Sequence, residues 1–415
     1  MNRRHILAIL GASAFLVLLL IVVPRLPYRF GGNGTTTGVR LVQDAGEVSL
    51  YFNRSRWVPE QLVPYRDVFI EYPQLAAFYL AWPRFLGVDF PMYTALLLWS
   101  NLLALAALIM LTRSLARSLS GGARTGSWWL FLLPATLYFT LYRFDILPAL
   151  AVTASLLALV RRRLGWALVL LAASIAIKWY PLVLVPLYWH WSRRMHIPRS
   201  HVLQAFGLVG GAMVVLTLIA WVTYGQGFLA PYLVHLGRTF EPGTVYVLFG
   251  TAEEPGNASV GSVVRSVLAV LQVAIPILWL IRGSRLRERL PSSTAFIAWC
   301  ALAVGAFILF AKFHSPQWHL WLLPLLVLLP LPRWAVAMVV AHDAVSFVQF
   351  PILFDTVGPT AGWYLAAASI RTALLIGLLI VVARIAGRRL PDAPAASSAA
   401  GQDALPRDVH AGHPV

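Results

Sequence analysis

Of the 415 residues, 59% are hydrophobic and 12% charged, with a mean hydropathy of +0.73, values that exclude a soluble domain and mark a polytopic membrane protein. A formal net charge of +17 would suit a nucleic-acid partner, but the arginines recur as small clusters between apolar runs, so the excess reports topology and contact with membrane lipids. The lone cysteine, Cys300, excludes an intramolecular disulfide.

In chain order, the first apolar run, 6–23, follows Asn2-Arg3-Arg4-His5 and has no small-residue cleavage site after it, so it reads as a retained helix crossing from cytoplasm to outside. Residues 24–90 then form a long first extracytoplasmic loop, a length that usually signals function. Within it the apolar stretch from Leu75 to Leu86 is interrupted by Pro83-Arg84 and is expected to lie along the interface as a helix. Further spans are expected at 91–111, 127–142, 146–160, 164–178, 180–190, 202–223, 261–281, 292–311, 318–332, 334–350 and 362–383. With the first helix these make about 12 transmembrane helices. Their alternation puts Arg113/Arg117/Arg124, Arg161/Arg162/Arg163, Arg193/Arg194/Arg199, Arg282/Arg285/Arg287/Arg289, Arg333 and Arg384/Arg388/Arg389 in the cytoplasm. One all-α transmembrane domain, 1–390, is thus expected, followed by an Ala/Ser/Pro-rich disordered cytoplasmic tail, 391–415.

The same alternation collects most carboxylates outside, among them Asp44, Glu47, Asp67, Glu71 and Asp145. Three short outer connections each carry a cation beside aromatic residues: Tyr142-Arg143-Phe144-Asp145, Lys178-Trp179-Tyr180-Pro181 and Lys312-Phe313-His314-Ser315-Pro316-Gln317-Trp318. Lys178 and Lys312 are the chain's only lysines. A charge at membrane depth costs about 2.5–3.5 kcal/mol on insertion scales, so such groups either serve a ligand or snorkel to the interface beside an aromatic anchor. Elsewhere, Gly207, Gly210 and Gly211 suit close helix packing, and His342-Asp343 suits a buried hydrogen-bonded pair. No His/Cys/Asp spacing fits a metal centre, and a divalent cation held between loop acids and a phosphate is compatible with the sequence.

Taken together, Gly46-Glu47-Val48-Ser49-Leu50-Tyr51, Pro64-Tyr65-Arg66-Asp67, Glu71-Tyr72-Pro73, Arg143-Phe144-Asp145, Lys178-Trp179-Tyr180-Pro181 and Ser315-Pro316-Gln317-Trp318 resemble the GT-C membrane glycosyltransferases, in particular glycosyltransferase family 87. The resemblance runs from about Asp44 to Leu323. It implies a GT-C-like helical bundle in the plasma or inner membrane and an extracytoplasmic site that takes a sugar, typically mannose, from a polyprenyl-phosphate donor to a glycolipid or glycan acceptor. It also implies a catalytic base in the first loop, which falls on Glu47, with Asp44 as competitor; the family's Tyr-Pro-Pro-Leu is Tyr72-Pro73-Gln74-Leu75 here. The chemistry agrees: a carboxylate takes the acceptor proton, and cations meet the charge growing on the departing phosphate. Arg143, Lys178, Lys312 and His314 are the candidates for phosphate, and Tyr65, Arg66, Asp67, Glu71, Asp145 and Gln317 for substrate contacts. The alternative is a transporter or flippase for a lipid-linked or anionic substrate; against it, no internal repeat is visible and the charges gather at one face.

Overall fold

In the computed structural model, the described residues are 45–119, 125–237, 241, 243–246 and 292–387, with isolated positions at 267, 270–272 and 274 and a two-residue ladder pairing Pro27-Tyr28 with Thr37-Gly38. The first apolar run, Asp44, nearly all of the 261–281 span and the tail fall outside the described residues. Apart from that ladder, the described chain is helical, as composition and apolar run length predict. Four described helices are long and apolar enough to cross a membrane, or five if one bent pair is counted as a single span. The architecture is an all-α polytopic membrane fold.

Helix α1, Ala45–Arg54, carries Glu47 in its first turn and Arg54 in its last, each sign at the helix end whose dipole favours it. Val48 and Tyr51 point into the core. Helix α2, Gln74–Ala81, runs into a tighter turn at Trp82–Leu86 and stops at Gly87, whose φ of 68° is the left-handed conformation glycine accepts without strain. Ala76, Ala77, Leu80 and Ala81 are buried while Leu75, Phe78, Phe85 and Leu86 are exposed.

Helix α3, Phe90–Ser118, is capped by the Asp89 side chain, which accepts from the Met92 N–H at 3.1 Å. Its buried Asn101 joins two neighbours: the Tyr79 hydroxyl donates to it at 2.7 Å, and its amide donates to the Leu141 carbonyl at 3.0 Å. That carbonyl belongs to the end of α4, Pro134–Tyr142, which is followed by α5, Ile146–Val160, after a bend of 104°. The expected spans 127–142 and 146–160 meet at this bend, and the break falls at Arg143-Phe144-Asp145, where the sequence places the connection between them. Shorter apolar helices complete this part: α6, Leu164–Ile177, and α7, Val185–Arg194. Several expected spans are therefore short pieces packed into the bundle.

Helix α8, Arg199–Tyr224, buries only Val202 among its residues, and Cβ atoms built on Gly207, Gly210 and Gly211 would meet nothing. The expected close packing at these glycines is thus not made by any described residue; their effect is a smooth apolar face. A turn at Gly225–Leu229 leads to α9, Ala230–Gly237. There Gly227 does have a steric reason, since a side-chain carbon would overlap the carbonyl of Tyr65. Tyr65 itself sits at φ 67°, held by its hydroxyl donating to the Tyr72 carbonyl at 2.7 Å and by its ring against Tyr224 at 5.3 Å. Around it Trp57, Val68, Ile70, Ala77 and Ala81 form a small second core inside the loop. Gly227→Ala is therefore expected to cost roughly 1–3 kcal/mol, the usual penalty of overpacking. The expected readout is faster proteolysis of the 55–72 loop with little change in helix content; an unaltered cleavage rate would refute the contact.

The carboxyl-terminal part comprises α10, Ser293–Leu309; α11, His319–Val327; α12, Arg333–Phe347; and α13, Gly362–Gly387. A wide turn at Val348–Leu353 follows α12. Helix α13 packs against both α10 and α12, and α12 packs against α4, which brings the last third of the chain up against the Arg143 turn.

Candidate active site

Two of the three cations that the sequence reading expects outside stand at the same local position. Arg143 is the C-cap of α4 and Lys178 the C-cap of α6, both extended. A cation there faces the negative end of the helix dipole. Lys312 follows α10 by three residues. The sequence pattern of an apolar run closed by a cation and aromatics thus produces a set of helix ends directed at one region.

What they meet there is two carboxylates with opposite surroundings. Asp145 is fully buried and saturated: Lys178 Nζ donates to Oδ1 at 2.7 Å, Trp321 Nε1 to Oδ1 at 2.9 Å, and Gln317 Nε2 to Oδ2 at 2.8 Å. The three short motifs therefore converge on one buried acid. Glu47 pairs with Arg143, Nη1 to Oε2 at 3.0 Å, and accepts from the Tyr72 hydroxyl at 3.3 Å, yet its side chain stays 25% exposed. Only the second carboxylate remains within reach of a substrate.

Aromatic rings lock the two pairs side by side. Phe144 lies between their residues and packs edge-on against Tyr51 at 6.0 Å and Tyr72 at 5.0 Å, while those tyrosines meet at 5.8 Å. Lys178 Nζ sits 4.8 Å from the Phe144 centroid and 5.2 Å from that of Trp321. Trp321 in turn stacks on Tyr180 at 4.2 Å and Trp318 at 4.6 Å. Burial first, then the Glu47 carboxylate, pushes the phenols of Tyr51 and Tyr72 well above the ordinary tyrosine range, so Tyr72 remains a donor. The Glu71 carboxylate adds to the effect on Tyr72, placing a third acid beside that hydroxyl.

The Arg143 turn is also pinned from behind. Helix α4 has Leu133 at its N-cap and no local side-chain cap. Asp343 on α12 supplies one, accepting from the Ala135 N–H at 3.0 Å, the Thr136 N–H at 2.9 Å and the Thr136 hydroxyl at 2.8 Å. His319 Nε2 stands 3.5 Å from the same carboxylate, and its Nδ1 lies 2.8 Å from the Pro316 carbonyl, which ties the Gln317 turn to the cluster. The expected His342-Asp343 pair is corrected here: Asp343 is buried and bonded, but to α4 and His319. A cavity beside this cluster is lined by His319, His342, Asp343 and leucines of α11 and α13.

The remaining sequence-predicted residues separate. Tyr65 belongs to the loop's small core, and Arg66 and Asp67 form an exposed pair with Nε to Oδ1 at 2.9 Å, Asp67 also accepting from the Val63 N–H at 2.8 Å. Arg66, followed by that N–H, holds the Asp67 carboxyl below its usual range. His314 is buried, and the Lys312 carbonyl accepts from the Glu241 N–H at 3.0 Å. Among the described residues no cluster of three or more His, Cys, Asp and Glu side chains is arranged for a metal ion.

Sequence reasoning missed Arg371, whose guanidinium is completely buried on α13. The signal was present, because a lone arginine within the apolar run 362–383 is an intramembrane charge.

No curated protein matches the sequence. A model of glycosyltransferase family 87 matches residues 69–289, a stretch that holds Arg143, Asp145 and Lys178 and leaves Glu47 and the 312–317 loop outside. Since the match spans just over half of the 415 residues and covers the turn on which the site is built, the chain belongs to glycosyltransferase family 87.

Proposed function

We propose that the protein is an inverting glycosyltransferase of the GT-C type. It moves a hexose, mannose by the family resemblance, from a polyprenyl-phosphate donor to a glycolipid or glycan acceptor at the extracytoplasmic face of the cell membrane. The carrying observation is the contrast between the two acids: Asp145 is buried with its oxygens occupied, whereas Glu47 is a quarter exposed and flanked by Arg143 and Tyr72. On this reading Glu47 takes the acceptor hydroxyl's proton as the acceptor oxygen bonds to the anomeric carbon. The bond from that carbon to the phosphate oxygen breaks, and the lipid phosphate leaves with one more negative charge. Displacement in a single step inverts the anomeric carbon. Asp145 and Lys178 act by holding the Arg143 turn, and Arg143 holds Glu47 in place. The arginine asymmetry supports the placement of this face outside.

The test uses purified protein in liposomes with radiolabelled polyprenyl-phosphate mannose and, in parallel, a labelled mannose nucleotide. Transfer of label from the lipid donor alone into an acceptor fraction is expected. Transfer from the nucleotide would remove the lipid-donor reading. Movement of the lipid across the bilayer without loss of its sugar would replace the enzyme by a flippase.

A further inference from the structure

Arg371 is the least explained charge among the described residues. It sits in the apolar helix α13 with none of its surface exposed, and no described carboxylate lies within ion-pair distance. Its Nη2 donates to two backbone carbonyls, those of Gly243 and His314, each at 2.9 Å. Its Nε and Nη1 have no acceptor. A buried guanidinium with two idle donors and no counter-charge is costly, since neither water nor an anion repays its dehydration.

The neighbours share the same unfinished character. Gln349 is fully buried, and neither its amide nitrogen nor its oxygen has a hydrogen-bond partner. A carbon added at Gly243 would lie 3.3 Å from Gln349 Nε2, 3.5 Å from the Tyr364 hydroxyl and 3.6 Å from Arg371 Nη2, so these groups surround one small space beside a residue without a side chain. One residue beyond Gln349, Phe350 receives the Arg143 guanidinium on its ring at 5.3 Å, which joins this space to the candidate active site. Meanwhile the cations expected to hold phosphate are engaged: Lys178 with Asp145 and Arg143 with Glu47.

We propose that Arg371, with the Gln349 amide and the Tyr364 hydroxyl, binds the phosphate group of a lipid-linked phosphate ester. This deepens the transferase reading and rests on it. The anion supplies the missing counter-charge and accepts from the idle donors; charge-assisted bonds of this kind are about twice as strong as neutral ones. The carbonyls of Gly243 and His314 hold the guanidinium in place through Nη2, and occupancy moves the 243–246 segment aside.

The experiment measures binding to the full-length protein in phosphatidylcholine nanodiscs with three probes: a polyprenyl monophosphate, the matching uncharged polyprenol, and inorganic phosphate. Wild type is expected to prefer the monophosphate over the alcohol by at least roughly tenfold, about 1.4 kcal/mol. Arg371→Gln should reduce that ratio to about one while alcohol binding stays unchanged, a separation that a merely structural clip would not give. Gln349→Leu, which leaves the Arg371 bonds to the Gly243 and His314 carbonyls in place, should lower the ratio severalfold and carries the test if Arg371→Gln does not fold. A full ratio in either folded variant overturns the assignment while sparing the transferase reading. No preference in wild type sinks the lipid-phosphate donor itself. Inorganic phosphate is expected to compete only weakly; equal competition would show that the site takes the free ion and overturn the lipid-linked ligand.

Discussion

Glu47→Gln is expected to lower sugar transfer by roughly 10²–10⁴-fold, the usual worth of a general base, while leaving donor binding intact. The amide keeps the size of the side chain and an oxygen for Arg143 and Tyr72, which now stand 3.0 and 3.3 Å from the carboxylate. What it loses is the capacity to take a proton. Because the residue is partly exposed and lies at the start of a helix, the fold should survive, and thermal unfolding in detergent checks this. Asp44→Asn serves as the companion variant and is expected to retain activity within about tenfold, as for a residue outside proton transfer. Full activity in Glu47→Gln with loss in Asp44→Asn would move the base three residues earlier, and full activity in both would end the assignment of a loop acid.

Lys178→Met is expected to have the larger structural effect. Methionine fills the volume of the aliphatic stem but leaves Asp145 buried with only the Trp321 and Gln317 N–H groups, and removal of one partner from a buried ion pair typically costs about 3–5 kcal/mol. The melting temperature should fall and transfer should fall with it, because the turn bearing Arg143 is no longer held in register. The double variant Lys178→Met/Asp145→Asn removes the stranded charge and is expected to recover at least half of the lost stability together with activity. Recovered stability without any recovered transfer would instead give the ammonium a direct role on the phosphate, as the sequence reading has it.

The membrane class and the three cation-bearing connections were legible because both depend on local pattern, namely apolar run length and charged or aromatic residues at run ends. That 143–145, 178–181 and 312–317 lie on one face was read from the arginine alternation, and their grouping into one site drew on the family resemblance, as hydropathy does not say which helix ends meet. Less visible were the partners. Asp145 reads as a substrate contact until Lys178, Gln317 and Trp321 are seen to fill its oxygens, and those bonds cross 33, 172 and 176 residues. The cap that Asp343 gives α4 crosses 207 and 208, far beyond any capping motif written in neighbouring positions. The break between α4 and α5 was legible at Arg143-Phe144-Asp145, but its angle of 104° was not, because hydropathy carries no backbone geometry.

Those long bonds also set an order of manufacture. As the chain is inserted, α4 enters the membrane without its cap, and Asp145 acquires Lys178 within the next two helices but neither Gln317 nor Trp321 until much later. A nascent protein arrested anywhere between them holds a half-satisfied acid and a fraying helix end, the kind of defect quality-control proteases in a membrane recognise. The cap on α4 is thus completed only after α12 arrives, so a chain that lacks α12 leaves the Ala135 and Thr136 N–H groups without the Asp343 carboxylate.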